Sequence, residues 1–265
     1  QVLDRRAAIA DDPEESIALK KRVGQVQETA LGDSASAIDT YRDILGQEPT
    51  DRDALSALER LYLADNQIDE HLEILEAQLD ATSEVVEQID IYDRMANAMI
   101  ERANDSERAC EVLEKIIMLD QTRDVTYRRL EELYLQLERW TELVETYRSH
   151  IEATPETLDK ITLLLAMGEI YEKNVEDVDR AIETYRQILE LDPNHFDAAL
   201  TLSRLQEAIE DWDGAIETMG RLAELTSDPE HRMDLLTRMG RVLQQRIGDV
   251  EQAEMRLNQA LEVEP

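Results

Sequence analysis

Apolar residues recur along this chain at helical intervals. Leu164, Met167 and Tyr171 stand at i, i+3 and i+7, and Ala181, Tyr185 and Ile188 at i, i+4 and i+7. Each set makes one apolar stripe on a helix. Stop and start signals agree with that reading. Asp177 precedes one segment and Asp192-Pro193-Asn194 follows it, while Asp228-Pro229-Glu230 opens another, with proline suited to a first turn. No segment sustains the apolar–polar alternation of a strand. The pattern predicts fifteen helices, a partial one at the start and then seven pairs, joined by turns of two to four residues.

The pairs repeat. Ten-residue blocks starting at Gly32, Asn104, Glu176 and Gly248 are related at a spacing of 72, and so are Leu58, Leu130 and Leu202, and Leu61, Leu133 and Leu205. A finer period divides each block: the positions 24, 59, 96, 131, 168, 203 and 240 fall 35 and 37 residues apart in alternation, which marks seven units. Gly24, Ala96, Gly168 and Gly240 occupy four of them, with Ala37, Ala109, Ala181 and Ala253 thirteen residues on. Such small pairs let two helices approach. One pair cannot bury a core alone, but pairs stacked on their neighbours bury a continuous one. The alternation makes two pairs, 72 residues, the structural module, with modules at 32–103, 104–175 and 176–247.

At Met167-Gly168, Tyr171, Ala181, Tyr185, Ile188 and Pro193 the sequence resembles the tetratricopeptide repeat family, in the long-array form found in bacteria, with one extra residue between Tyr171 and Ala181. The unit-ending proline recurs at Pro49, Pro155, Pro193 and Pro265. The resemblance covers essentially the whole chain. It implies an all-α, right-handed α-solenoid of seven antiparallel helix pairs. Glu59 and Glu131 stand where Gly or Ala is usual, and His71 and Leu143 where Ala is usual, so those two pairs are expected to sit further apart or to tilt. Residues 1–10 align with 73–82, the second helix of a pair, so the chain reads as a fragment of a longer array.

Charge narrows the partners. With 28 Lys and Arg against 61 Asp and Glu, the formal net charge is −33. Nucleic acid and anionic membranes are excluded as partners, because their phosphates require Lys and Arg for counterion release. No run approaches the ~18 apolar residues of a membrane span. A soluble chain is expected, cytoplasmic in preference to periplasmic. Catalytic motifs are missing: there is no phosphate-binding glycine loop and no G-x-S-x-G. The histidines, His71, His150, His195 and His231, form no metal-ligand spacing, and Cys110 reads as a small buried hydrophobe. No enzyme, cofactor or metal is expected.

The resemblance places partners on the concave face lined by the first helix of each pair. Counting three before and one, four and five after each small-residue site selects the groove positions. Among them are Arg60, Asp93, Asn97, Glu101, Arg128, Glu132, Glu169, Arg204 and Arg241, with Asp90 beside them. The Lys and Asn constellation with which one branch of the family clamps chaperone tails does not assemble. Residues 32–103 are the most acidic module, with 18 acidic and 5 basic side chains. A basic peptide would be steered there; general solubility or adaptation to a salty cytoplasm is the preferred reading of the acidity. The expected function is a non-catalytic scaffold for a protein or peptide. The alternatives are a spacer or self-assembling array segment and a regulatory module of a longer chain.

Overall fold

The computed structural model describes residues 12–263. These hold fourteen α-helices and no strand: α1 (Pro13–Thr29), α2 (Ser34–Leu45), α3 (Arg52–Ala64), α4 (Ile68–Asp80), α5 (Val85–Ala98), α6 (Ser106–Leu119), α7 (Asp124–Gln136), α8 (Trp140–Ala153), α9 (Thr157–Ile170), α10 (Val178–Leu191), α11 (Phe196–Ala208), α12 (Trp212–Leu225), α13 (Pro229–Val242) and α14 (Val250–Glu262). The partial first helix expected over residues 1–10, and Pro265, lie outside the described residues. The chain divides into two compact units, 1–133 and 134–265, with the boundary inside α7. In the first, each helix from α1 to α6 packs on the next; in the second, the same holds from α8 to α14. Nearest-neighbour stacking of helix pairs is how an α-solenoid is built.

The ends of the helices carry the 72-residue period. Asp33, Asp105, Asp177 and Asp249 each accept a hydrogen bond from the backbone N–H three residues on and so cap the N-terminus of a second helix. Such a cap contributes about 1 kcal/mol. Each of these aspartates follows a left-handed residue, Gly32, Asn104, Glu176 or Gly248. Its own N–H reaches back six residues, to the carbonyls of Gln27, Met99, Tyr171 and Leu243. That bond satisfies a carbonyl of the last turn and closes the preceding helix. The extra residue noted between Tyr171 and Ala181 is taken up here. A π-helical turn, Tyr171–Val175, extends α9, and counterparts at Met99–Ala103 and Leu243–Ile247 extend α5 and α13, each 72 residues from the next. The widened turn absorbs one residue without breaking the helix. One connection is longer than expected: 46–51 makes two consecutive turns around Pro49 before Asp51 caps α3.

Each unit has its own core. Ile44, Leu55, Leu58, Leu61 and Tyr62 lead the first, and Leu164, Met167, Ile188, Leu202 and Leu222 the second, all nearly or fully buried. A fully buried Leu contributes about 1.5–3 kcal/mol. The small-residue sites close the pairs in a different way from the one expected. Ala37 and Ala181 are fully buried, yet what faces Gly24 and Gly168 is a tyrosine ring. A Cβ at Gly24 would stand 2.7 Å from Cζ of Tyr41, and one at Gly168 would stand 3.0 Å from Cζ of Tyr185. Only at Gly240 does a backbone atom, the Ala253 carbonyl oxygen at 3.3 Å, join the side chain across the pair.

Candidate partner-binding surface

The first helices of successive pairs are tied together by polar side chains about one repeat apart. In the first unit Arg60 on α3 reaches back to Glu28 on α1, with Nη2 2.9 Å from Oε2. Lys21 on α1 bridges Asp51 and Asp53 at the start of α3, at 2.6 and 2.7 Å. Burial opposes its charge, but hydrogen bonds to the two carboxylates outweigh that and raise its pKa. Asp93 on α5 takes two guanidinium groups: Arg123, just before α7, at 2.8 Å and Arg129, on α7, at 3.1 Å. Arg129 also donates to Asn97 Oδ1 at 2.7 Å. In the second unit Arg204 on α11 pairs with Glu172 at 2.5 Å, and Arg238 on α13 with Glu207 on α11 at 2.8 Å. Glu172–Arg204 is the Glu28–Arg60 pair displaced by two modules. In the intervening copy those positions hold Ile100 and Glu132, and Asp93, Asn97 and Arg129 make the tie instead.

The residues selected from the sequence are solvent-exposed, apart from Asp93, which is half-buried. Several are already engaged. Arg60, Asp93, Asn97 and Arg204 hold the cross-helix ties; Asp90 pairs with Arg94 at 3.1 Å, Arg128 with Asp124 at 2.8 Å, and Glu169 with Lys173 at 3.2 Å. Glu132 is exposed on α7. Glu101 and Arg241 are exposed, and among the described residues their side chains have no hydrogen-bond or ion-pair partner. Behind Glu169 and Glu172 lies Tyr185, whose phenol burial, then those two carboxylates, push up to about 12.

At Glu59 and His71 a large side chain spans the pair. His71 is 3% exposed, and its Nδ1 lies 3.3 Å from the Glu59 backbone oxygen. The Glu59 carboxylate turns away from that contact. It accepts from Gln78 Nε2 at 2.8 Å and pairs with Arg94 of α5. These groups line a 240 Å³ cleft together with Ser56, Arg52 and Glu87. Burial lowers the His71 pKa, Arg94 and Arg102 push the same way, and the Glu59 oxygens oppose them. Arg94, Arg123 and Arg129 were missed as structural partners. Opposite charges one repeat apart, Glu59 with Arg94 and Asp93 with Arg129, are the signal that reveals them. Among the described residues no cluster of His, Cys, Asp or Glu is placed to hold a metal ion, and no helix is long and apolar enough to cross a membrane.

Models of the tetratricopeptide repeat match residues 126–161 and 175–238. Both stretches are tetratricopeptide repeats. No curated protein sequence matches it. Solved structures resemble it in fold. YrrB, described as a TPR protein with an unusual peptide-binding site, is 19% identical with a TM-score of 0.40, over 73% of this chain and 94% of that one. The C-terminal part of a TPR repeat-containing protein from Cytophaga hutchinsonii is 13% identical with a TM-score of 0.40, over 92% and 99%. Naa15/Naa10 bound to HypK-THB is 14% identical with a TM-score of 0.50, over 94% of this chain and 39% of that one.

Proposed function

We propose that this tetratricopeptide chain is a non-catalytic scaffold that binds a protein or peptide across the exposed face of its first helices. The observation that carries the reading is the repeated cross-helix tie. Glu28–Arg60, Asp93–Arg129, Glu172–Arg204 and Glu207–Arg238 hold neighbouring first helices in register. A surface fixed in this way loses little conformational entropy when a partner docks. Most charges on it are neutralised within the chain, so recognition falls to the groups left over. Glu101, in the most acidic module, is one of them, and a partner with Lys or Arg at that point gains attraction that salt screens. The absence of a nucleophile motif in the sequence agrees with a binding role.

The experiment is capture of partners from the source extract at about 50 and 300 mM salt, by the wild type and by Glu101→Lys. A partner retained by the wild type and lost at high salt and by Glu101→Lys supports basic recognition on this face. A partner that survives both refutes the basic reading. A chain that captures only itself refutes the scaffold in favour of a self-assembling array.

A further inference from the structure

The internal repeat supplies a reference for a second site. At one position of each module the chain holds Tyr62, Tyr134 and then Gln206, spaced by 72 residues. Both tyrosines are buried, at 1% and 2% exposure. Eight residues further on stand Glu70, Glu142 and then Gly214. In the third module a ring has therefore given way to a carboxamide and a long side chain to a hydrogen. The space they would occupy is open, as a 390 Å³ cleft between α10, α11 and α12.

The floor of this cleft is polar and incompletely paired. Gln206 is 2% exposed. Its Oε1 accepts from the Thr218 hydroxyl at 2.8 Å, while its Nε2 makes no hydrogen bond within the protein. A Cβ at Gly214 would collide with Gln206 Nε2 and with Asp211 Oδ2, so the missing side chain is what leaves that amide accessible. A donor that opens onto the cleft is satisfied by water or by a ligand. Two arginines stand at the walls. Arg186 pairs with Asp211 at 3.3 Å, and Arg221 has neither ion pair nor hydrogen bond. Glu190 and Glu217, both exposed and unpaired, complete the rim.

We propose that this cleft binds a carboxylate side chain of a partner protein, in a segment where that Glu or Asp is flanked by Lys or Arg. The donors Gln206 Nε2 and Arg221, with Arg186 beside them, can pair with a group that accepts, and a carboxylate does so with two oxygens. Glu190 and Glu217 receive the flanking cations. In a chain of net charge −33, a bare anion is repelled at long range, and basic flanks remove that barrier. The site faces out between second helices and is independent of the first-helix reading, since neither Glu101 nor the cross-helix ties take part in it.

The test is a titration of the isotopically labelled chain, observed by NMR, with acetyl-Lys-Glu-Lys-amide, acetyl-Lys-Gln-Lys-amide and free glutamate. The site predicts that the Glu peptide shifts the Gln206 side-chain amide resonances and binds about tenfold more tightly than the Gln peptide, as loss of one charge-assisted contact implies. Arg221→Gln, which removes no internal contact and so leaves the fold intact, weakens the Glu peptide by a similar factor. Gln206→Tyr, which restores the residue of the other modules, abolishes binding of the Glu peptide, read from the backbone amide resonances of Thr218 and Arg221. Equal binding of the two peptides, or no effect of Arg221→Gln, overturns the proposal. Free glutamate binding as well as the peptide overturns its assignment to a protein segment.

Discussion

Replacing Gly168 with Ala pits two well-known effects against each other. Gly168 lies inside α9, where Ala is favoured by about 1 kcal/mol on helix propensity alone. The added Cβ would stand 3.0 Å from Cζ, 3.2 Å from Cε2 and 3.4 Å from Oη of Tyr185. Ordinary carbon–carbon contact is ~3.5–4.0 Å, so the ring must withdraw by about half an ångström. It is 3% exposed and packed among core residues of the second unit, and overpacking of this kind costs about 1–3 kcal/mol. Packing should win, leaving Gly168→Ala less stable by about 0.5–2 kcal/mol. The chain supplies its own rescue. At the equivalent positions of the preceding module Ala96 and Leu113 coexist, both fully buried. Adding Tyr185→Leu to Gly168→Ala recreates that pair, and in the Tyr185→Leu background the alanine should be neutral or stabilising. The assay is urea unfolding followed by tryptophan fluorescence, because Trp140 and Trp212 both lie in residues 134–265. A rise in midpoint for Gly168→Ala in the wild-type background would refute the close approach.

Three further outcomes are expected. Asp93→Lys places a third cation against Arg123 and Arg129 and should lower stability by about 1–3 kcal/mol, whereas Glu101→Lys should stay within about 0.5 kcal/mol, both read from urea midpoints by circular dichroism. Because burial holds the folded-state pKa of His71 below the ordinary histidine value of about 6.5, folding favours the neutral ring. Its contribution is present above about pH 6.5 and is lost as the pH falls. His71→Leu, the residue found at the equivalent position 143, should therefore lose less stability than the wild type between pH 7.5 and 5.5, and equal losses would contradict the burial argument. Glu176 adopts φ +58° where the next module has Gly248, so Glu176→Gly should stabilise by about 0.5–1 kcal/mol, with no gain contradicting strain at that turn.

Much of the fold was legible because it is periodic. Helix faces, capping aspartates and the 72-residue module all repeat, so each copy corroborated the others. The single extra residue after Tyr171 was visible as a number, but its form as a π-helical turn was not, since a loop would have absorbed it equally well. The surface was harder to read. Asp93 lies on a first helix, yet its engagement by Arg123 and Arg129 depends on how far long guanidinium side chains reach from one helix pair to the next. The same is true of Glu59, whose carboxylate turns toward Arg94 while its backbone carbonyl meets His71. Glycine's role as a seat for Tyr41 and Tyr185 was hidden because spacing alone points to the facing alanines. The replacement of Tyr62 and Tyr134 by Gln206 was in plain view in the period, but its consequence appears only when the volume left behind is seen to be open.

The central claim is that the tied first helices form the partner-binding face. Hydrogen–deuterium exchange of the chain with and without its captured partner tests it most directly, with Glu101→Lys as a matched control. The account predicts that partner-dependent protection concentrates in peptides from the exposed first helices, α5 and its π-helical turn foremost, and disappears in the control. Protection confined to the second helices, or unchanged by Glu101→Lys, would contradict it.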